Sequence, residues 1–168
     1  TFVPQSFIAV EDKRFFDHFG IDLYRILSSL VTDVAHGKFK EGGSTITQQL
    51  AKNTHLSQEK TIKRKLNEIR LAVEIENDYT KQEILEMYLN SLYFGMNVYG
   101  IDSASLLYFD KHAENLSLDE SAVLVAIINN PTLFNPYQNK DNCKKRRDLV
   151  LKRMKDQGYI SDEEYKNT

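Results

Sequence analysis

One cysteine in 168 residues, Cys143, leaves no partner for an intrachain disulfide, so cysteine usage says nothing about redox compartment. It lies in NKDNCKKRRD, with no second cysteine or histidine beside it to share a metal, and reads as structurally incidental. No run of about 18 apolar residues occurs, which excludes a spanning helix within these residues. A signal-peptide pattern is also missing, and the chain opens on Thr1 rather than Met, which reads as trimmed. Charge of one sign is missing too: 22 Lys+Arg stand against 24 Asp+Glu, a net charge of -2. No global field therefore points to nucleic acid, and any anion site must come from local clustering. Prolines are few (Pro4, Pro131 and Pro136), and each suits a helix border. No alternating run is long enough for a convincing strand.

What remains is helical patterning. The length fits one domain with a real core, and 41% hydrophobic with 27% charged residues are globular values. The periodicity predicts helices over 4–17, 22–36, 45–54, 58–77, 81–92, 100–108, 118–129, 141–157 and 162–167. Capping-box spacings mark three starts: Thr80 with Glu83, Ser117 with Glu120, and Ser161 with Glu164. Residues 118–129 are apolar almost all round and should form the buried central helix. The loop 37–44, GKFKEGGS, should be mobile, and the loop 93–100, YFGMNVYG, is aromatic and glycine-rich. Residues 140–155 form a basic amphipathic helix that reads mainly as a solvated face with some packing.

Three segments carry candidate chemistry. The first is FIAVEDKRFFDHFG, residues 7–20. On one continuous helix, Phe7, Ile8, Val10 and Phe15 share a side and Glu11 falls near the middle of that stripe. Either Glu11 is ion-paired or the segment is not one helix, or it is a carboxylate in a partly dry site, poised to take a proton. The second is EGGSTITQQLAKN, residues 41–53. Gly42 and Gly43 let the backbone approach a ligand, Ser44, Thr45 and Thr47 can cap the helix, and Gln48, Gln49, Lys52 and Asn53 spread donors over it. The third is KTIKRKLNEIR, residues 60–70, where Lys60, Lys63, Arg64, Lys65 and Arg70 crowd together. Arg64 and Glu68 at i, i+4 form either an ordinary surface pair or a phosphate clamp with a carboxylate at its edge. A base, a donor-rich turn and a basic helix suit sugar transfer from a phosphorylated donor. A pyrophosphate leaving group needs cations, whereas glycosidic cleavage needs a general acid.

These segments, with KQEILEMYLNSLYFG at 81–95, AVLVAIINNPTLFNP at 122–136 and RRDLVLKRM at 146–154, resemble the bacterial peptidoglycan glycosyltransferase domain (glycosyltransferase family 51) over nearly the whole chain. That domain occurs in class A penicillin-binding proteins and in monofunctional transglycosylases. The resemblance implies a mainly α, lysozyme-like, two-lobed helical domain over 1–168, with a membrane-apposed jaw lobe at about 22–60. It implies polymerisation of lipid II with anomeric inversion and release of undecaprenyl pyrophosphate. Glu11 matches the catalytic base, and Asp12, Phe15 and His18 match the rest of its motif. Glu68 matches the second carboxylate, acting on the donor side directly or through a divalent cation, Mg²⁺ or Mn²⁺. Lys52, Lys60 and Arg64 match pyrophosphate-binding positions. Gly43, Ser44, Thr45, Gln48, Gln49 and Asn53 match the motif that lines the cleft.

The resemblance also implies the outer face of the cytoplasmic membrane, an upstream transmembrane anchor outside these residues, and other cell-wall synthesis proteins, or a transpeptidase domain in the same longer chain, as partners. Three positions depart from the family pattern. Lys60 stands where Arg is common, which keeps the charge and loses the fork. Asp110 stands where Gly is usual, and Asp tolerates positive φ better than most residues. Phe134 stands where Tyr is frequent. The apolar face of 22–36, followed by Lys38, Phe39 and Lys40, suits a membrane interface around Phe39 as well as core packing. Two rivals stay open: a lysozyme-like hydrolase or lytic transglycosylase, and a non-catalytic lipid II-binding domain.

Overall fold

The structure is a computed structural model, and it describes residues 1–26, 43–55 and 61–168. Among these it is helical, and the only strand-like feature is a single bridge between Tyr93 and Tyr99. The chain divides into two compact units: Thr1–Lys13 with Leu89–Thr168, and Arg14–Tyr88.

The first unit is built on α1 (Val3–Glu11), α5 (Ile101–Phe109), α6 (Leu118–Asn129), α7 (Lys140–Asp156) and α8 (Asp162–Lys166). Helix α6 is its centre. Ser117 accepts from the Glu120 amide while the Glu120 carboxylate accepts from the Ser117 amide, so the capping box expected there forms and satisfies two orphan donors. Past that start, Leu118, Ala122, Leu124, Val125, Ala126 and Ile127 are buried, and α6 packs on α1, α5 and α7. Each large aliphatic side chain buried this way contributes about 1.5–3 kcal/mol. Helix α7 answers with Cys143, Val150, Leu151 and Met154, which are buried, while its lysines 144, 145 and 152 stay exposed. The basic helix thus both packs and faces water. Asp110 ends α5 at φ 56, ψ 38, the left-handed cap conformation expected at a position where Gly is usual. A 3-10 turn at Ala113–Asn115 was not expected from the sequence.

The second unit pairs α2 (Ile46–His55) with α3 (Ile62–Asp78) and includes most of α4 (Lys81–Ser91). Its core holds Phe15, Ile46, Leu50, Ala51, Ala72, Ile84 and Tyr88. Thr80 and Glu83 make the expected capping box ahead of α4, with the Thr80 amide donating to Glu83 Oε2 at 2.8 Å. Residues 23–26 are helical, but the rest of the helix expected over 22–36, the loop 37–42 with Phe39, and 56–60 lie outside the described residues. Much of the segment assigned to the jaw lobe is therefore not described.

One helix is shorter than its periodicity suggests. The run expected over 4–17 stops at Glu11, and Asp12 leaves it at φ −159, ψ 73. The carbonyls that a continuing helix would use are taken elsewhere: Gln157 Nε2 donates to Ala9 O at 2.8 Å and Arg153 Nη1 to Val10 O at 3.2 Å. Residues 13–20 then run through turns and bends. Glu11 is thus the last residue of a helix, not the middle of an apolar stripe. Phe15 is buried in the second unit on its own account.

Candidate active site

In the first unit the candidate base Glu11 is half-buried at the C-terminal end of α1, and Asp12 beside it is 1% exposed. Helix α7 supplies cations to this end. Arg153 reaches the α1 backbone directly, and Arg146 lies within the electrostatic reach of both Arg153 and Glu11. Burial pushes the Arg146 guanidinium below its ordinary value and Arg153 adds to this, while Glu11 opposes it. Arg146 also stands over the Phe134 ring at 5.9 Å.

In the second unit the turn after Arg14 is tied down from several sides. Arg14 forms an ion pair with buried Asp22, and the Arg25 amide donates to Asp22 Oδ1 at 2.8 Å. Burial alone would raise the Asp22 carboxyl, but these hydrogen bonds outweigh it and hold the group below its ordinary value. Gly20, at φ +77, passes so close to α3 that a Cβ would sit 2.9 Å from Ala72 O. Thr45 Oγ1 donates to Gly20 O at 2.7 Å. Phe15 packs edge-on against Phe16 and His18, and Lys81 Nζ lies 4.5 Å over its ring. Lys81 and Thr47 Oγ1 both donate to buried Glu76, at 2.7 and 2.6 Å.

The start of α2 is a further capping box. The Thr45 amide donates to Gln48 Oε1 at 2.9 Å, and the Gln48 amide donates to Thr45 Oγ1 at 3.1 Å. Thr45 and Gln48 are fully buried in this arrangement. The spacing Thr45-x-x-Gln48 could have been read from the sequence. Gly43 and Ser44 are half-buried just ahead of it. Along α2, Gln49 accepts from the Tyr88 hydroxyl at 3.3 Å, Lys52 is half-buried, and Asn53 is exposed.

Helix α3 begins at the N-cap Thr61, whose hydroxyl accepts from the Arg64 amide. Two turns on, Glu68 is 2% exposed. Arg64 Nη1 donates to Glu68 Oε2 at 3.1 Å, the i, i+4 pair expected from the sequence. Lys65 forms an ion pair with Glu68 Oε1 and also donates to Ser44 Oγ at 2.8 Å. Lys65 is the residue that sequence reasoning left out of the site. Its i, i+3 spacing from Glu68 was the available signal, but nothing local shows that it also reaches Ser44, 21 positions earlier. The structure thus brings together Ser44, Arg64, Lys65 and Glu68. Lys60 lies outside the described residues.

Glu68 as a cation ligand fits poorly. Both of its oxygens are engaged by Lys65 and Arg64, and no group of three or more His, Cys, Asp or Glu suited to a metal occurs among the described residues.

The Transglycosylase family model matches residues 1–155. Penicillin-binding protein 1F of Bacillus subtilis (strain 168) is 51% identical over 96% of this chain and 23% of its own length. Penicillin-binding protein 1A of Aquifex aeolicus (strain VF5) is 45% identical over 97% of this chain and 22% of its own. Among solved structures, penicillin-binding protein 1A from Haemophilus influenzae matches with a TM-score of 0.50 and 31% identity, over 73% of this chain and 15% of that one. The chain therefore spans about a quarter or less of these relatives. With 155 matched residues and this level of identity, the chain belongs to the Transglycosylase family.

Proposed function

We propose that this domain polymerises lipid II, with Glu11 as the general base and Glu68, held by Arg64 and Lys65, on the donor side. The growing glycan on undecaprenyl pyrophosphate is the donor, and lipid II offers the acceptor 4-hydroxyl. Glu11 takes the hydroxyl proton as the oxygen attacks the donor's anomeric carbon. The bond to the pyrophosphate oxygen breaks, its electron pair leaves with the pyrophosphate, and the α-linked donor becomes a β-linked product. Developing negative charge on the leaving group calls for cations, which are best placed before the reaction starts.

The observation that favours this reading is the Ser44–Lys65–Glu68–Arg64 cluster. A buried carboxylate holds two cations in fixed positions, and Lys65 bridges it to the turn before α2. Arg64 keeps its Nε without a partner among the described residues, a donor suited to a phosphate oxygen. Lys52 and Lys60 extend the cationic lining in this proposal, and Gly43, Gln49 and Asn53 line the acceptor and donor path. Asp12 supports the base, Phe15 packs within the second unit, His18 orders the loop it lies in, and Thr45 and Gln48 order the start of α2.

No helix among the described residues is long and apolar enough to cross a membrane. The lipid-linked substrate and the relatives' greater length favour an anchor and a transpeptidase domain elsewhere in a longer chain, at the outer face of the cytoplasmic membrane. The test is polymerisation of labelled lipid II in detergent by this chain beside Glu11→Gln. Polymer from the parent, reduced by about 10²–10⁴ in the variant with an unchanged melting temperature, supports the base role. Sugar fragments released from preformed peptidoglycan, with no use of lipid II, would favour a hydrolase. Lipid II binding without turnover would favour a binding domain.

A further inference from the structure

We propose that Arg153 and Gln157 are positioning residues for Glu11. This rests on the reading of Glu11 as the base. Helix ends leave their last carbonyls without intrahelical partners, and many helices resolve this locally with a residue, usually glycine, in the left-handed conformation. Helix α1 does not. Asp12 follows it at φ −159, and its amide donates to Ile8 O at 3.0 Å. The next two carbonyls, Ala9 O and Val10 O, belong to the turn that presents Glu11. They are capped by Gln157 and Arg153, side chains from 148 and 143 positions away in the sequence.

Two features make this more than a packing contact. Arg153 brings a positive charge to the negative end of α1, where the helix dipole favours it. Asp12, the residue after Glu11, is 1% exposed, so the backbone leaving α1 is enclosed as well as tethered. The direction of the Glu11 side chain is set by the φ and ψ of the turn whose carbonyls these two residues hold. Releasing them lets the last turn fray by rotations small on the scale of the fold and large on the scale of proton transfer. Misplacing a catalytic group by about 1 Å can cost about 10²-fold in rate.

The experiment uses Arg153→Ala, Arg153→Lys, Gln157→Ala and the double alanine variant, with Lys144→Ala as an exposed control on the same helix. Steady-state polymerisation of labelled lipid II and backbone amide exchange are measured on each. Arg153→Ala is expected to lower kcat about tenfold or more with KM within about twofold. Exchange should rise selectively at residues 9–12, and Arg153→Lys should recover part of both effects. Lys144→Ala should match the parent. The double variant should be little worse than the worse single one, because both act on the same turn.

A kcat for Arg153→Ala and Gln157→Ala equal to the parent's overturns the inference while leaving Glu11 as the base. A fall in kcat that merely tracks a uniform rise in exchange across the unit also overturns it, because that is global destabilisation. If Arg153→Ala does not fold, Arg153→Lys and Gln157→Ala decide on the same criteria. A parent that makes no polymer defeats the reading of Glu11, and the inference falls with it. Selective exchange at residues 9–12 would then still show that the tether exists.

Discussion

Glu68 shows how one buried carboxylate can organise charge around it. Its two oxygens hold Arg64 and Lys65, and Lys65 in turn holds Ser44. Breaking a buried pair by removing one partner leaves uncompensated charge. Glu68→Gln removes the charge while keeping the shape, so both cations lose their anchor. Turnover is expected to fall by at least about 10²-fold, from lost fixed charge on the donor side. The kcat and KM for lipid II separate two cases: a loss confined to KM would make Glu68 a positioning residue. Gly20 is constrained differently. Its φ of +77 and the 2.9 Å approach to Ala72 O leave no room for a methyl group. Gly20→Ala is expected to cost about 1–3 kcal/mol in strain, more if α3 has to shift. Urea unfolding reads this directly, and a midpoint equal to the parent's would show that the turn adapts.

At the scale of elements, legibility followed how local the cause was. All three expected capping boxes form, because cap and acceptor lie three residues apart. Helix α6 is the buried centre, as its apolar surface demanded, and Asp110 takes the left-handed cap. Helix α1 ends earlier than its periodicity predicts because its terminator is not local: Arg153 and Gln157 take the carbonyls that the pattern would give to residues 13 and 14. The site divides the same way. The Arg64–Glu68 pair follows from i, i+4 spacing, whereas the Lys65–Ser44 link depends on how α2 and α3 pack. The buried Glu76, held by Thr47 and Lys81, could not be anticipated either, because its partners lie on other helices. Thr45 joins both kinds of cause, as N-cap of α2 and donor to Gly20 O. Thr45→Ala is therefore expected to cost about 2 kcal/mol, the upper end for a lost cap, and Ser117→Ala about 1 kcal/mol. Denaturant midpoints of the two variants compare these directly; equal losses would mean the Gly20 bond adds nothing.

For the whole molecule, acid is the informative condition, because carboxyls held below their ordinary values occur in both units. In the second unit these are Asp22, where hydrogen bonds from Arg14 and Arg25 outweigh burial, and Glu83, bonded by the Thr80 amide and hydroxyl. In the first they are Asp102, bonded by the Ala113 amide and His112, Glu120, where bonds from Lys111 and Ser117 outweigh burial, and Glu164, bonded by Ser161. The ordinary values are 3.8 for Asp and 4.5 for Glu. Each such group is deprotonated more readily in the folded state, so the unfolded chain binds more protons in acid. Its contribution is complete above the ordinary value and disappears as pH falls through the lowered one. Stability from these groups should thus hold from pH 7 to about 5 and decline below about 4. Urea midpoints at stepped pH test this, and a midpoint that does not fall on acidification below pH 4 would refute it. Asp22 should carry a disproportionate share, because it is buried and ion-paired, whereas Glu83 and Glu164 sit at exposed caps where solvent screens the interaction. Asp22→Asn should therefore lower the midpoint at pH 7 and flatten the acid slope, while Glu164→Gln should leave both close to the parent's. A slope unchanged by Asp22→Asn would move the main proton-linked contribution away from the turn that follows Arg14.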